Sequence, residues 1–141
     1  MAELVEAVIA WNRRPDWGLA ADALADPRVT LRHGDVADLL REGAGAYDAI
    51  LLDVDNGADA LTTAGNARLY ADAGVRLAVA ALRPGGRVAY WSAGDDPAFA
   101  RTMRRAGLAV ETTRVRAHAT AGGWHTLLVG RRPAGAPRPG A

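Results

Sequence analysis

Tyr47-Asp48-Ala49-Ile50-Leu51-Leu52-Asp53 is a mostly apolar run that stops abruptly in acid. An apolar stretch of strand length without alternation suits a parallel strand buried on both faces, and the terminal carboxylate suits its carboxyl end, which opens to solvent or a site. Upstream of it, Val36 to Arg41 is short and helix-like, with Asp35 as its N-cap after a Gly34-Asp35 turn. Arg28 to His33 alternates apolar and polar residues behind the Asp26-Pro27 turn, which predicts a strand. Val5 to Arg13 carries Val5, Val8, Ile9 and Asn12 at helical spacing, with arginines in the last turn and Pro15 beyond it, so a first helix is expected there.

Downstream, a loop spans Val54 to Gly65, and one packed helix is expected from Asn66 to Leu82, where Leu69, Ala73, Leu77 and Ala81 share a face before Pro84-Gly85-Gly86. Arg87 to Ser92 reads as a strand. Asp96-Pro97 opens a helix that runs to about Arg105 and is closed by Gly107. Leu108 to Arg116 and Trp124 to Arg131 read as two strands joined by a turn-rich segment. Strands alternating with amphipathic helices imply an α/β fold: a Rossmann-like, doubly wound, mainly parallel sheet with an antiparallel C-terminal strand pair. One domain is expected over residues 1–132, with a disordered tail over 133–141 that is rich in Pro, Gly and Ala.

Composition removes whole classes of chemistry. The chain has 141 residues, enough for one real core, and its 17 basic and 16 acidic residues leave a formal charge of +1. Such a balance gives no field to attract nucleic acid or an anionic membrane. Every basic residue is arginine, which excludes Schiff-base lysine and P-loop phosphate binding, and the absence of cysteine excludes disulfides, thiolate nucleophiles and thiolate-held metals. His33, His118 and His125 lack metal-ligand spacing, so no metal is expected. Trp11, Trp17, Trp91 and Trp124 are far apart in sequence and read as packing residues. The opening residues carry Glu3 and Glu6 rather than a basic n-region, and no apolar run approaches the ~20 residues of a membrane span, so the cytoplasm is the expected location.

Three acids and one junction carry a family likeness. Glu3 stands before the first helix, Gly34-Asp35 follows the strand at 28–33, Asp53 ends the strand at 47–53, and Leu82-Arg83-Pro84-Gly85-Gly86 leads into the next strand. In this order and spacing the sequence resembles the class I AdoMet-dependent transferases, and within them the spermidine synthase-like branch, from residue 1 to about Arg132. The resemblance implies that Glu3 holds the cofactor's ribose hydroxyls and Gly34-Asp35 its adenine amino group; a carboxylate suits both tasks as an acceptor. It also implies Asp53 as general base, Asp55 as the group recognising the substrate ammonium, and Tyr70 on the substrate side. The family's acid, two small residues, second acid and proline are here Asp53-Val54-Asp55-Asn56-Gly57, so the second acid is displaced and the proline absent.

The family's first strand and Gly-rich loop should precede Glu3, and the resemblance therefore implies an N-terminally truncated fold lacking both. Gly43-Ala44-Gly45 stands before a strand, the wrong context for that loop. The expected co-substrate is decarboxylated S-adenosylmethionine, giving aminopropyl transfer to an amine that the truncation impairs, or S-adenosylmethionine itself, giving methyl transfer. A noncatalytic fragment with a misplaced start is the third alternative. The implied partners are a small-molecule amine acceptor and no nucleic acid or membrane, with room for a homodimer.

Overall fold

The computed structural model describes residues 1–53, 64–116 and 122–135. The chain divides into two compact units, Met1–Glu42 and Gly43–Ala141. The first contains β1 (Ala2–Glu3), α1 (Glu6–Asn12), a 3-10 turn (Pro15–Trp17), α2 (Ala21–Ala25), β2 (Arg32–His33) and α3 (Val36–Glu42). β1 and β2 pair in parallel, Ala2 beside Arg32 and Glu3 beside His33. The amino terminus extends this contact by donating to the Thr30 carbonyl at 2.7 Å.

The strand expected over 28–33 is shorter, covering Arg32 and His33 alone. Asp26 explains the loss, because its Oδ1 accepts the Arg28 backbone N–H at 2.8 Å while its carboxylate pairs with the Arg28 guanidinium at 2.6 Å. A local side-chain turn thereby takes the backbone group that a ladder would need. That guanidinium, with the Arg28 amide second, holds the Asp26 carboxyl below its ordinary value.

The second unit contains β3 (Tyr47–Leu52), α4 (Ala64–Tyr70), α5 (Asp72–Ala81), β4 (Leu82–Ser92), α6 (Pro97–Arg105), β5 (Ala109–Arg116) and β6 (Trp124–Arg131). Its sheet runs β3-β4-β6-β5, with β3 and β4 parallel and the β4–β6 and β6–β5 pairs antiparallel. The expected C-terminal antiparallel pair is present, and the last strand in sequence lies inside the sheet. Across both sheets, two of the four pairings among the described residues are parallel.

The single helix expected over 66–82 is two, broken at Ala71, whose ψ of 162° is extended. Gly74 permits the break to pack: a Cβ there would lie 2.6 Å from the Leu69 Cα and closer still to the Arg68 carbonyl oxygen. Only a residue without a side chain lets the first turn of α5 rest on the end of α4. β4 begins at Leu82, earlier than expected, because Tyr47 pairs with Leu82 before the register jumps to Ala49 beside Arg87. The jump accommodates Pro84, which has no N–H for a ladder. Arg132 caps the carboxyl end of α5, donating from Nη1 to the Val79 carbonyl at 3.0 Å and to that of Leu82.

α6 forms as its sequence predicts. Asp96 Oδ1 accepts the Phe99 N–H at 2.8 Å and Pro97 fills the first turn. Gly107, at φ 92°, ends the helix with bonds from Gly107 N to Arg104 O and from Leu108 N to Met103 O. On the sheet face beneath these helices, Val88, Tyr90 and Leu128 are almost wholly buried, as are Val75, Ala78 and Met103 of the helices. Tyr90 meets Phe99 edge-on at 4.8 Å and Tyr70 at 5.5 Å. β3, however, is not buried on both faces: Ile50 and Leu52 are inside, whereas Leu51 is 79% exposed. As an edge strand it has one partner among the described residues.

Candidate functional site

In residues 1–42 the three expected cofactor residues converge. β1 and β2 run parallel, so both present their carboxyl ends on the same side, and Gly34 N–H donates to the Glu3 carbonyl at 2.9 Å. Glu3 closes one strand and Gly34-Asp35 leave the other, side by side. Glu3 Oε1 accepts the Val5 N–H at 2.7 Å, which engages one of its two oxygens and orients the carboxylate at the start of α1. Asp35 Oδ1 accepts the Ala37 N–H at 2.8 Å and so is the α3 N-cap expected of it. Gly34 has φ 154°, a region costly for any other residue, with open space where a Cβ would stand. His33 Nε2 lies 3.0 Å from the Leu4 carbonyl oxygen and ties the two strand ends together.

In residues 43–141, Asp53 follows β3 directly and is exposed, at the carboxyl end of the parallel β3–β4 pair. Open α/β sheets bind ligands outside the carboxyl ends of their strands, which is the place Asp53 occupies. Asp55 and His118 lie outside the described residues. Tyr70 is 6% exposed and stands in the aromatic cluster, its ring 5.1 Å from that of Phe99. At the end of β4, Ser92 and Thr126 are buried opposite one another, and Thr126 Oγ1 donates to Asp95 at 3.0 Å.

One arrangement escapes a reading of the sequence. Trp91 and His125, far apart along the chain, are stacked with ring centroids 4.4 Å apart and planes at 27°. Their neighbourhood arises from the β4–β6 register, in which Trp91 faces Leu127, and no local motif announces it. Trp11 and Trp17 also meet, at 6.4 Å. Among the described residues no group of three or more acidic or histidine side chains is placed to hold a metal ion, and no helix is long and apolar enough to cross a membrane.

No family model and no curated protein matches the sequence. Solved structures do match the fold. The spermidine synthase of Thermotoga maritima superposes with a TM-score of 0.70 over 94% of this chain at 14% identity, as does a spermidine synthase in complex with the transition state analogue AdoDATO. The 1,6-didemethyltoxoflavin-N1-methyltransferase of Burkholderia thailandensis, solved with S-adenosylhomocysteine, superposes at 0.60 over 94% with 21% identity. The chain spans 44% of the length of the synthases and 60% of that of the methyltransferase. The fold is therefore the Rossmann-like α/β architecture that these transferases share, a class I AdoMet-dependent methyltransferase-like fold.

Proposed function

We propose that the chain is a transferase domain using an AdoMet-type co-substrate, and that its reaction is aminopropyl transfer from decarboxylated S-adenosylmethionine to an amine. The observation that carries the reading is the Gly34-to-Glu3 backbone bond, which sets a carboxylate and a Gly-Asp pair at adjacent parallel strand ends. The residues fit a nucleoside: Glu3 keeps a second oxygen for a ribose hydroxyl, Asp35 is an acceptor suited to an exocyclic amine, and Gly34 leaves open space beside both. The bound co-substrate supplies a sulfonium-activated carbon. The amine nitrogen forms the new C–N bond as the sulfonium C–S bond breaks and its electron pair returns to sulfur, releasing a neutral thioether, and Asp53 takes the proton that the amine must lose, a contribution of roughly 10²–10⁴-fold in rate. The likeness to spermidine synthase supports this choice of transferred group.

Methyl transfer is favoured by a different observation, the sequence Asp53-Val54-Asp55-Asn56-Gly57, where the second acid is displaced and no proline follows. Calorimetric titration of the chain with S-adenosylmethionine and its decarboxylated form separates the two: preference for the decarboxylated compound supports aminopropyl transfer, and preference for the carboxylated one supports methyl transfer. Asp35→Ala should weaken whichever binds by about tenfold or more, the worth of a hydrogen bond to a charged group. Failure of both compounds to bind at millimolar concentration would sink the transferase reading.

A further inference from the structure

β5 is the other outer strand of the second sheet: it pairs with β6 and, among the described residues, with no further strand. Its eight residues hold one uninterrupted register, from Ala109 beside Arg131 to Arg116 beside Trp124, with no glycine, proline or bulge to blunt the edge. Every second residue therefore turns its backbone N–H and C=O outward. At the carboxyl end of this edge stands a cationic aromatic group. Trp124 is 48% exposed, with the Arg116 Cζ 4.8 Å and the Arg114 Cζ 5.2 Å from its ring centroid. Alternation puts Val110, Thr112, Arg114 and Arg116 on the face of Trp124, and Glu111, the one acid of β5, on the opposite face. Arg83 and Arg105 of the same unit are paired with Asp48 and Asp72, whereas neither Arg114 nor Arg116 has an acid within ion-pair distance among the described residues. Asp95, which reaches this end of the sheet, accepts instead from the Thr126 hydroxyl.

We propose that β5 takes up an acidic extended segment of a partner protein as an added strand, with Arg114 and Arg116, seated on Trp124, reading its carboxylates. The outward backbone groups supply the ladder, and side chains at alternate positions supply the selection. Residues i and i+2 of the incoming strand fall beside Arg114 and Arg116, so the recognised pattern is two acids separated by one residue. A guanidinium resting on an indole keeps its N–H edges free for a carboxylate, and the ring limits its rotation before binding. Charge selects this occupant over a second copy of the chain. Two-fold antiparallel pairing sets residues of one face opposite one another, and β5 offers that face only valine, threonine and arginine. A second copy would bring more arginine and no carboxylate. The free ladder favours a peptide over a nucleic acid strand, which has no amide groups to continue it. The surface is separate from the transferase site, since it uses none of Glu3, Gly34, Asp35 or Asp53.

The test is NMR titration of the whole chain with the capped peptide Thr-Val-Glu-Val-Glu-Val-Thr, following the β5 amides and the Trp124 indole N–H, the latter identified by its loss in Trp124→Phe. The peptide should move both and slow the exchange of the outward β5 amides. Its glutamine counterpart should bind about fivefold more weakly, the worth of two exposed ion pairs, and its lysine counterpart more weakly still. Arg114→Gln combined with Arg116→Gln should bring the glutamate peptide down to the glutamine one and leave the latter within about twofold. Both arginines are exposed, and should that variant fail to fold, the peptide series on the parent chain decides alone. No binding of the glutamate peptide, equal binding of the glutamate and lysine peptides, or glutamate binding without change at the β5 amides overturns the proposal. So does a dimer in sedimentation velocity whose formation shifts the β5 amides, which would give the edge to a second copy. An oligothymidylate that shifts Trp124 where the glutamate peptide does not would give the arginines to nucleic acid and overturn it equally.

Discussion

Tyr90 shows how one side chain can set a pH limit. It is wholly buried, its hydroxyl has no hydrogen-bond partner among the described residues, and burial first, then the neighbouring Tyr70, push its pKa well above the ordinary 10.0. Above pH 10 the unfolded chain loses the phenolic proton while the folded chain keeps it, so the folded state binds more protons and stability falls as pH rises. The slope should reach about 1.4 kcal/mol per pH unit in that window. Tyr90→Phe removes both the titration and an unpaired hydroxyl. Denaturant melts at pH 7 and above pH 10 should show a variant at least as stable as the parent at neutral pH, and without Tyr90's share of the alkaline loss; an unchanged alkaline slope would remove Tyr90 as its source. Asp35 is the α3 cap, and two substitutions separate the capping oxygen from the charge. Asp35→Ala deletes the α3 cap and should cost about 1 kcal/mol, whereas Asp35→Asn keeps a capping oxygen and should lose only a few tenths. Thermal unfolding distinguishes them, and equal losses would mean that the charge, not the cap, matters for folding.

At the scale of elements, two glycines make close contacts of unequal hardness. A Cβ on Gly74 would meet backbone atoms of Arg68 and Leu69, while one on Gly130 would meet the side-chain ends Leu108 Cδ1 at 2.7 Å and Met103 Cε at 2.9 Å. Backbone cannot yield without shifting α4 against α5, but Met103 and Leu108 can change rotamer. Gly74→Ala should therefore destabilise by about 3 kcal/mol or more and Gly130→Ala by about 1 kcal/mol, measured by urea melts. The reverse order would contradict the packing described for α4 and α5. The break before Gly74 was not legible from periodicity, since Leu69, Ala73, Leu77 and Ala81 keep helical spacing straight through it. By contrast α6 was readable end to end, because Asp96, Pro97 and Gly107 each act on backbone groups within a few residues.

At the scale of the whole chain, burial is unevenly distributed. Among the described residues the buried hydrophobic side chains of 1–42 are Ile9, Ala37 and Leu40, while fifteen others, from Ile50 to Leu128, belong to 43–141. The first unit also exposes Leu4, Val5, Trp11, Trp17 and Leu19 by roughly half or more of their surface. With apolar burial worth about 25 cal/mol per Å², so small a core supports little local stability. Hydrogen exchange on the intact chain should show the β1–β2 amides exchanging through low-energy openings, and those of β4 and β6 near the global unfolding limit. Equal protection in both units would show that they unfold as one and that burial within each does not govern its stability.

The sequence by itself determined what depends on neighbours in the chain: the helix caps, the turn at Asp26, the strand ending at Asp53, and the Gly34-Asp35 step with its acid. These are decided by hydrogen bonds and φ/ψ preferences that reach only a few residues. Most of the α/β order and the antiparallel pair at the C-terminus followed from the same local signals. Tertiary structure alone decided which strand ends meet. Glu3 and Gly34 are joined by the parallel β1–β2 register, and Trp91 comes under His125 because β6 enters between β4 and β5. Strand register is fixed by pairing across the sheet, where a shift of one residue turns every side chain to the other face, and no stretch of sequence read alone contains that information.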